Sequence, residues 1–113
     1  MKQNNPLFKG SLSTIILKLL SEEQKMYGYE ITKKVKELSG GDLSLTEGAL
    51  YPALHKLEAD GHITANIEQV DNRMRKYYSL TQQGKEEAAN KLSELQDFFK
   101  QLQSVLQLKL LNS

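Results

Sequence analysis

Cysteine is absent from this chain, and with it go disulfides, thiolate nucleophiles and cysteine-based zinc sites. No apolar run approaches the roughly 20 residues of a membrane span, and Lys18 interrupts the first apolar stretch. The leading residues, Met1 to Pro6, are polar, so no signal peptide is expected and the cytoplasm is the default setting. Tryptophan is missing, and proline occurs only at Pro6 and Pro52. An excess of one charge is missing as well: 15 Lys and Arg against 14 Asp and Glu leave a net charge of +1. Nucleic-acid binders are often strongly basic, so a role of that kind must rest on where the charges sit rather than on their sum.

The residues that are present bound the chain to one domain. Its 113 residues, 39% hydrophobic and 26% charged, suffice for a single modest core and exclude a disordered composition. Leu12, Ile15, Ile16, Leu19 and Leu20 recur at helical spacing, with Pro6 ahead of them and Ser11 or Ser13 as candidate caps. A second helix is expected from about Tyr27 to Leu38, with Gly28, Ile31, Val35 and Leu38 on one face and Gly40-Gly41 as its stop. A third starts near Thr46 and turns Leu50, Ala53, Leu54 and Leu57 inward. Pro52 within it removes the backbone bond to the Gly48 carbonyl, so a kink in the first turns is expected.

After Gly61 the period changes from helical to alternating. Ile63, Ala65 and Ile67 alternate with Thr64, Asn66 and Glu68, as in a half-buried strand. Asp71-Asn72 supplies a turn, Arg75 to Leu80 a return strand, and Thr81 the cap of a last helix. From there Ala88, Leu92, Leu95, Phe99, Leu102 and Leu106 keep a 4-3-4-3-4 spacing, widened by Phe98 and Val105, in a proline-free stretch reaching Leu111. Such a stripe exceeds what a three-helix head and a hairpin can cover. It predicts a partner helix, most economically a second copy in a twofold dimer, with Leu92, Leu95, Phe99, Leu102 and Leu106 at the interface.

A helix, an alternating strand, a basic turn and a second strand, in that order, match a winged helix-turn-helix: a recognition helix for the major groove, then a hairpin wing on phosphate. The expected fold is mainly α with a small β-hairpin, divided into a DNA-binding unit at 1–80 and a dimerisation helix at 81–113. Thr46, Glu47, Gly48, Tyr51, His55 and Lys56 form the outward side of the third helix, and Arg73, Arg75 and Lys76 the wing. Thr and Glu can meet base edges, the Tyr hydroxyl and Lys can reach phosphate, and hairpin arginines suit phosphate or a narrow minor groove. Plainer readings stand beside these. The wing can equally be a solvated turn, Tyr51 a ring packed against the second helix with only its hydroxyl wet, and Lys33, Lys34 and Lys36 a solvated face.

Catalytic and metal chemistry find little support. His55 and Glu58 share an i, i+3 spacing, but Asp60 and His62 fall at and beyond the helix end, so no strong ligand motif forms. No Gly-x-Ser-x-Gly elbow or phosphate loop occurs, and Glu22-Glu23 and Glu86-Glu87 read as solvated acids. Neither an enzyme nor a cofactor or metal is expected.

Four strings, in order and at compatible spacing, carry a resemblance: Tyr27-Gly-Tyr-Glu-Ile31, Glu47-Gly-Ala-Leu-Tyr-Pro-Ala-Leu54, Leu57-Glu-Ala-Asp-Gly-His-Ile63, and Arg75-Lys-Tyr-Tyr-Ser-Leu-Thr81 with Gly84. They fall within residues 11 to 84 and resemble the PadR family of bacterial transcription regulators. The resemblance implies a winged helix, a C-terminal dimerisation helix, a double-stranded DNA operator, and repression often relieved by a small molecule. The family often carries a basic residue where His55 stands. The short tail resembles a compact subgroup in which flat hydrophobic drugs stack on tryptophan at the dimer centre. Here Leu95 stands near that position, and Phe8, Leu95, Phe98 and Phe99 would line an apolar effector cleft, or else serve as ordinary dimer core. The rival from another class is a protein-interaction module on a winged-helix scaffold without specific DNA binding, which near-neutral charge favours.

Overall fold

The structure is a computed structural model and describes residues 5–109. Its elements in chain order are α1 (Pro6–Glu22), β1 (Met26–Tyr27), α2 (Gly28–Leu38), α3 (Glu47–Ala59), β2 (Ile63–Val70), β3 (Arg73–Leu80) and α4 (Gln82–Leu106). Helix α1 begins a turn earlier than its serines suggest. Asn5 is the cap, its Oδ1 accepting from the Leu7 amide at 2.9 Å, and Pro6 takes the first helical position, where no amide hydrogen is needed.

Helix α1 is the centre of the molecule. It packs against α3, β3 and α4, and Leu17 joins Leu12, Ile16, Leu19 and Leu20 in the core although it lies off the single expected stripe. Leu50, Leu54 and Leu57 of α3 complete that core as their spacing predicts. Leu38 does not. It is 69% exposed, because α2 buries only Gly28, Ile31 and Val35 before its end.

Glycine stops two helices in left-handed backbone that side chains disfavour. Gly40 (φ 65°) closes α2 and Gly61 (φ 81°) closes α3, where the His62 amide donates to the Leu57 carbonyl at 2.9 Å. Helix α3 runs unbroken through Pro52. Pro52 and Gly48 are both exposed, so water can take the place of the forfeited backbone bond.

The sheet has the order β1-β3-β2 and is antiparallel throughout. The two residues of β1, too short to carry a sequence period, pair with Tyr77 and Tyr78 of β3. Asp71 and Asn72, both at positive φ, make the two-residue hairpin turn. Ile63 is buried, but Ile67 on the same face is 66% exposed: the hairpin outruns the helices that cover its root. Thr81 caps α4, accepting from the Gly84 amide at 3.0 Å while its hydroxyl donates to the Gly61 carbonyl at 2.7 Å. A Cβ on Gly84 would collide with the His62 carbonyl oxygen, so the start of α4 is fitted directly onto the turn after α3.

The first turn of α4 lies beside the last turn of α1, where Leu20, Ser21, Glu22 and Lys85 line one cleft. At 1.5 Å per residue α4 is roughly 12 Å longer than α1. Its distal seam is accordingly open: Phe98 and Phe99 are 51% and 53% exposed, and Val105 and Leu106 are exposed too. The helix ends at Leu106, with Gln107 in left-handed backbone. Its expected continuation through Leu110 and Leu111, like the first four residues of the chain, lies outside the described residues. Among the described residues, no helix is long and apolar enough to cross a membrane.

Candidate nucleic-acid interface

The outward side of α3 begins at its cap. Thr46 Oγ1 accepts from the Ala49 amide at 3.2 Å, which leaves the hydroxyl proton free to donate outward. Glu47, in the first turn, is exposed. Gly48 beside it is exposed and has no need to be glycine: an added Cβ would find only Thr46 Oγ1, at 3.9 Å. Glycine in a helix is less favourable than alanine by about 0.5–1 kcal/mol. The fold carries that cost without a steric reason of its own.

Tyr51, one turn on, lies over the start of α2. A Cβ on Gly28 would strike its hydroxyl end, and the side chain is 37% exposed. Tyr51 does pack on α2 as expected, but it is the hydroxyl end that lies against Gly28, and the exposed part is elsewhere on the side chain. His55 is exposed. Lys56 is exposed and meets Asp60 at 3.3 Å, a surface pair of the kind that contributes little and re-aims easily.

The wing residues are not one cluster. Successive strand side chains point to opposite faces, so Arg73 and Arg75 share one face of the hairpin while Met74 and Lys76 share the other. Lys76 faces α3, its Nζ 5.6 Å from the ring centre of buried Tyr78. Burial holds the Tyr78 hydroxyl above the ordinary tyrosine value, with nearby Lys76 opposing the shift. Tyr27, Gly28, Tyr51, Met74, Arg75, Lys76 and Tyr78 line a cleft of about 370 Å³ between the two helices and the wing.

Arg75 differs from its neighbours. Its guanidinium carbon lies 4.3 Å from the ring centre of Tyr27, the side chain is half-buried, and its Nε is buried with no hydrogen-bond partner. Of the three wing residues expected on DNA, Arg73 and Lys76 are exposed, whereas Arg75 stacks on the Tyr27 ring. Cation–π contacts of this kind are worth about 0.5–2 kcal/mol. The same ring meets Tyr77 edge-on at 5.4 Å and Tyr29 at 6.4 Å. Lys25 completes the group, with Nζ 2.7 and 2.8 Å from the two Glu68 carboxylate oxygens and 4.8 Å from the Tyr77 ring centre. The hydrogen bond to Glu68, first, and its negative charge hold the Lys25 ammonium above the ordinary lysine value. Sequence reasoning missed this group. Its one visible signal was the density of tyrosine at 27, 29, 77 and 78, and only the β1–β3 pairing brings those positions together.

Of the residues expected at an effector cleft, Phe8 is already buried by this chain's own core, Leu95 is half-buried, and Phe98 and Phe99 are open. At the expected interface, Leu92 and Leu102 are half-buried and Phe99 and Leu106 exposed.

A three-helix head with an antiparallel hairpin flanking the outward side of α3 defines a winged helix-turn-helix protein. The chain belongs to the PadR-like family of transcriptional regulators, whose sequence pattern matches residues 16–90. It is 35% identical over 80 residues to an uncharacterised protein of Lysinibacillus sphaericus, covering 70% of this chain and 72% of that one. A transcriptional regulator of Mycobacterium tuberculosis is 36% identical over 63 residues, 56% of either chain. A transcriptional regulator from Clostridium thermocellum superposes with a TM-score of 0.81 at 30% identity, over 88% of this chain and 94% of that one. A PadR family transcription regulator from Clostridium difficile does so with a TM-score of 0.75 at 32% identity, over 85% and 98%. Membership makes the chain a PadR-like transcriptional regulator, and that family role implies DNA binding.

Proposed function

We propose that the chain is a sequence-specific, dimeric repressor of transcription in the cytoplasm, released from its operator by a small hydrophobic or aromatic effector. Residues 1–80 read double-stranded DNA and residues 81–113 pair two copies. The observation that carries this reading is the open first turn of α3: Thr46, Glu47 and Gly48 are exposed, and Gly48 lacks a side chain that the fold has room for. A missing Cβ there suits close approach to a base edge. Thr46 donates to a base acceptor and Glu47 accepts from a cytosine amino group. Tyr51, His55 and Lys56 meet the flanking backbone, and Arg73 and Lys76 bracket it from the wing.

Pairing through Leu92, Leu95, Phe99, Leu102 and Leu106 puts two reading heads on successive major grooves, with half-sites about 34 Å apart. Phe98 and Phe99, whose rings are open, would form the apolar site for the effector together with Leu95 and Phe8. An occupant that changes the angle between paired α4 helices changes the head spacing and hence DNA affinity. A broad ligand screen that leaves DNA affinity unchanged counts against that switch.

The direct test is fluorescence anisotropy with duplex DNA from upstream of the chain's own gene, beside a scrambled duplex and across a salt series. Tighter binding to the upstream duplex is expected, and Arg73→Ala with Lys76→Ala should weaken binding to both duplexes about equally. Duplexes bound alike, with both affinities collapsing as salt rises, indicate phosphate attraction without sequence reading.

A further inference from the structure

Strand β3 is the middle strand of the sheet, yet β1 covers only its root. Tyr77 and Tyr78 have neighbours on both sides, while Arg73 to Lys76 pair with β2 alone. A two-stranded ribbon of this kind is marginal by itself and twists readily, so something must fix its angle to the head. The contacts that span the gap converge on Tyr27, at the junction of β1 and α2. Arg75 covers one face of its ring and Tyr77 meets it edge-on. Glu68 stands directly opposite Arg75 in the β2–β3 register, but its carboxylate is held by Lys25, so the ring holds the guanidinium.

We propose that Arg75 and Tyr27 are a positioning pair: the stack locks the angle of the wing, and Arg73 and Lys76 alone supply its phosphate contacts. Three observations carry this. Arg75 is half-buried where Arg73 and Lys76 are exposed, its Nε is buried against protein with no partner, and its contact lies on the head rather than on the wing. The consequence for DNA rests on the function proposed above. The lock itself does not.

The experiment therefore has two arms. The absence of native cysteine allows spin labels at Gln69→Cys on the wing and Lys33→Cys on α2, with the labelled chain diluted into unlabelled protein. Pulsed dipolar spectroscopy then reads the width of the wing-to-head distance distribution. One narrow distribution is expected for the parent. Arg75→Ala, Arg75→Lys and Tyr27→Ala should each broaden it, because lysine lacks the planar stacking face, whereas Tyr27→Phe, which keeps the ring, should not. In the second arm, Arg75→Ala weakens DNA binding but leaves the slope of log K against log salt unchanged. Arg73→Ala and Lys76→Ala each make that slope shallower by about 1.8 per dimer, one phosphate contact from each of two wings. Thermal melts on the same variants show whether the head remains folded, with Arg75→Lys as the milder substitution. A distribution that stays narrow in Arg75→Ala overturns the lock, and a slope that becomes shallower in Arg75→Ala by about as much as in Arg73→Ala overturns the division of labour. A parent that binds no duplex contradicts the DNA reading, while the distance arm still decides the lock.

Discussion

The two ends of α4 follow one apolar spacing and meet opposite fates. In the first turns Gly84 and Ala88 are buried, capped by Thr81 and fitted against the His62 carbonyl. In the last turns Phe98, Phe99, Val105 and Leu106 are open. The difference is one of length: α1 covers what it can reach, and the remainder of α4 extends past it, giving a molecule 53 Å long and only 23 Å thick. Apolar periodicity states that a face must be covered. It does not state by which chain. In the dimer proposed above, a second copy covers that open face.

Substitution at the open end should have the largest effect. Phe98→Ser with Phe99→Ser should raise the dimer dissociation constant by about 100-fold or more, on the basis of roughly 1.5–3 kcal/mol for each buried phenylalanine, with the circular dichroism of the head unchanged. Sedimentation equilibrium measures it. At the closed end, Gly84→Ala should cost about 2 kcal/mol of stability in urea unfolding, because its Cβ meets backbone that cannot swing aside. On the reading head the sign reverses: Gly48→Ala should stabilise the chain by about 0.5–1 kcal/mol while weakening specific DNA binding. A variant that is both more stable and a better binder would contradict the role given to Gly48.

The smallest expected effect is on pH. Lys25 and Tyr78 both hold their protons above the ordinary values of 10.5 and 10.0. Once the pH passes 10, the unfolded chain releases protons that the folded chain keeps, so the stability these groups contribute is full below that pH and lost as the pH climbs through their folded values. Thermal midpoints should fall on that alkaline side, and less steeply in Tyr78→Phe.

Much of this was legible in residues that are neighbours in sequence. Leu50, Leu54 and Leu57 declared the buried face of α3, Asp71-Asn72 the hairpin turn, and Thr81 the cap of α4, each by a local rule. The features that sequence did not disclose depended on partners far along the chain. Leu38 and Ile67 keep the right period but lie past the edge of what other elements cover. The pair Met26-Tyr27 is too short to announce a strand and becomes one only against Tyr77-Tyr78. The wing reads in the sequence as three nearby basic residues, and nothing local discloses the Tyr27 ring against one of them. The basic residues of the wing were legible in the sequence, and the packing of Arg75 on the Tyr27 ring was not.

Whether two copies of this chain read a specific DNA sequence is decided by selection from a random duplex library with the intact protein. Enrichment of a pseudo-palindromic sequence is predicted, with half-sites about one helical turn, or a multiple of it, apart. A library that emerges unenriched after repeated rounds at physiological salt would contradict that reading.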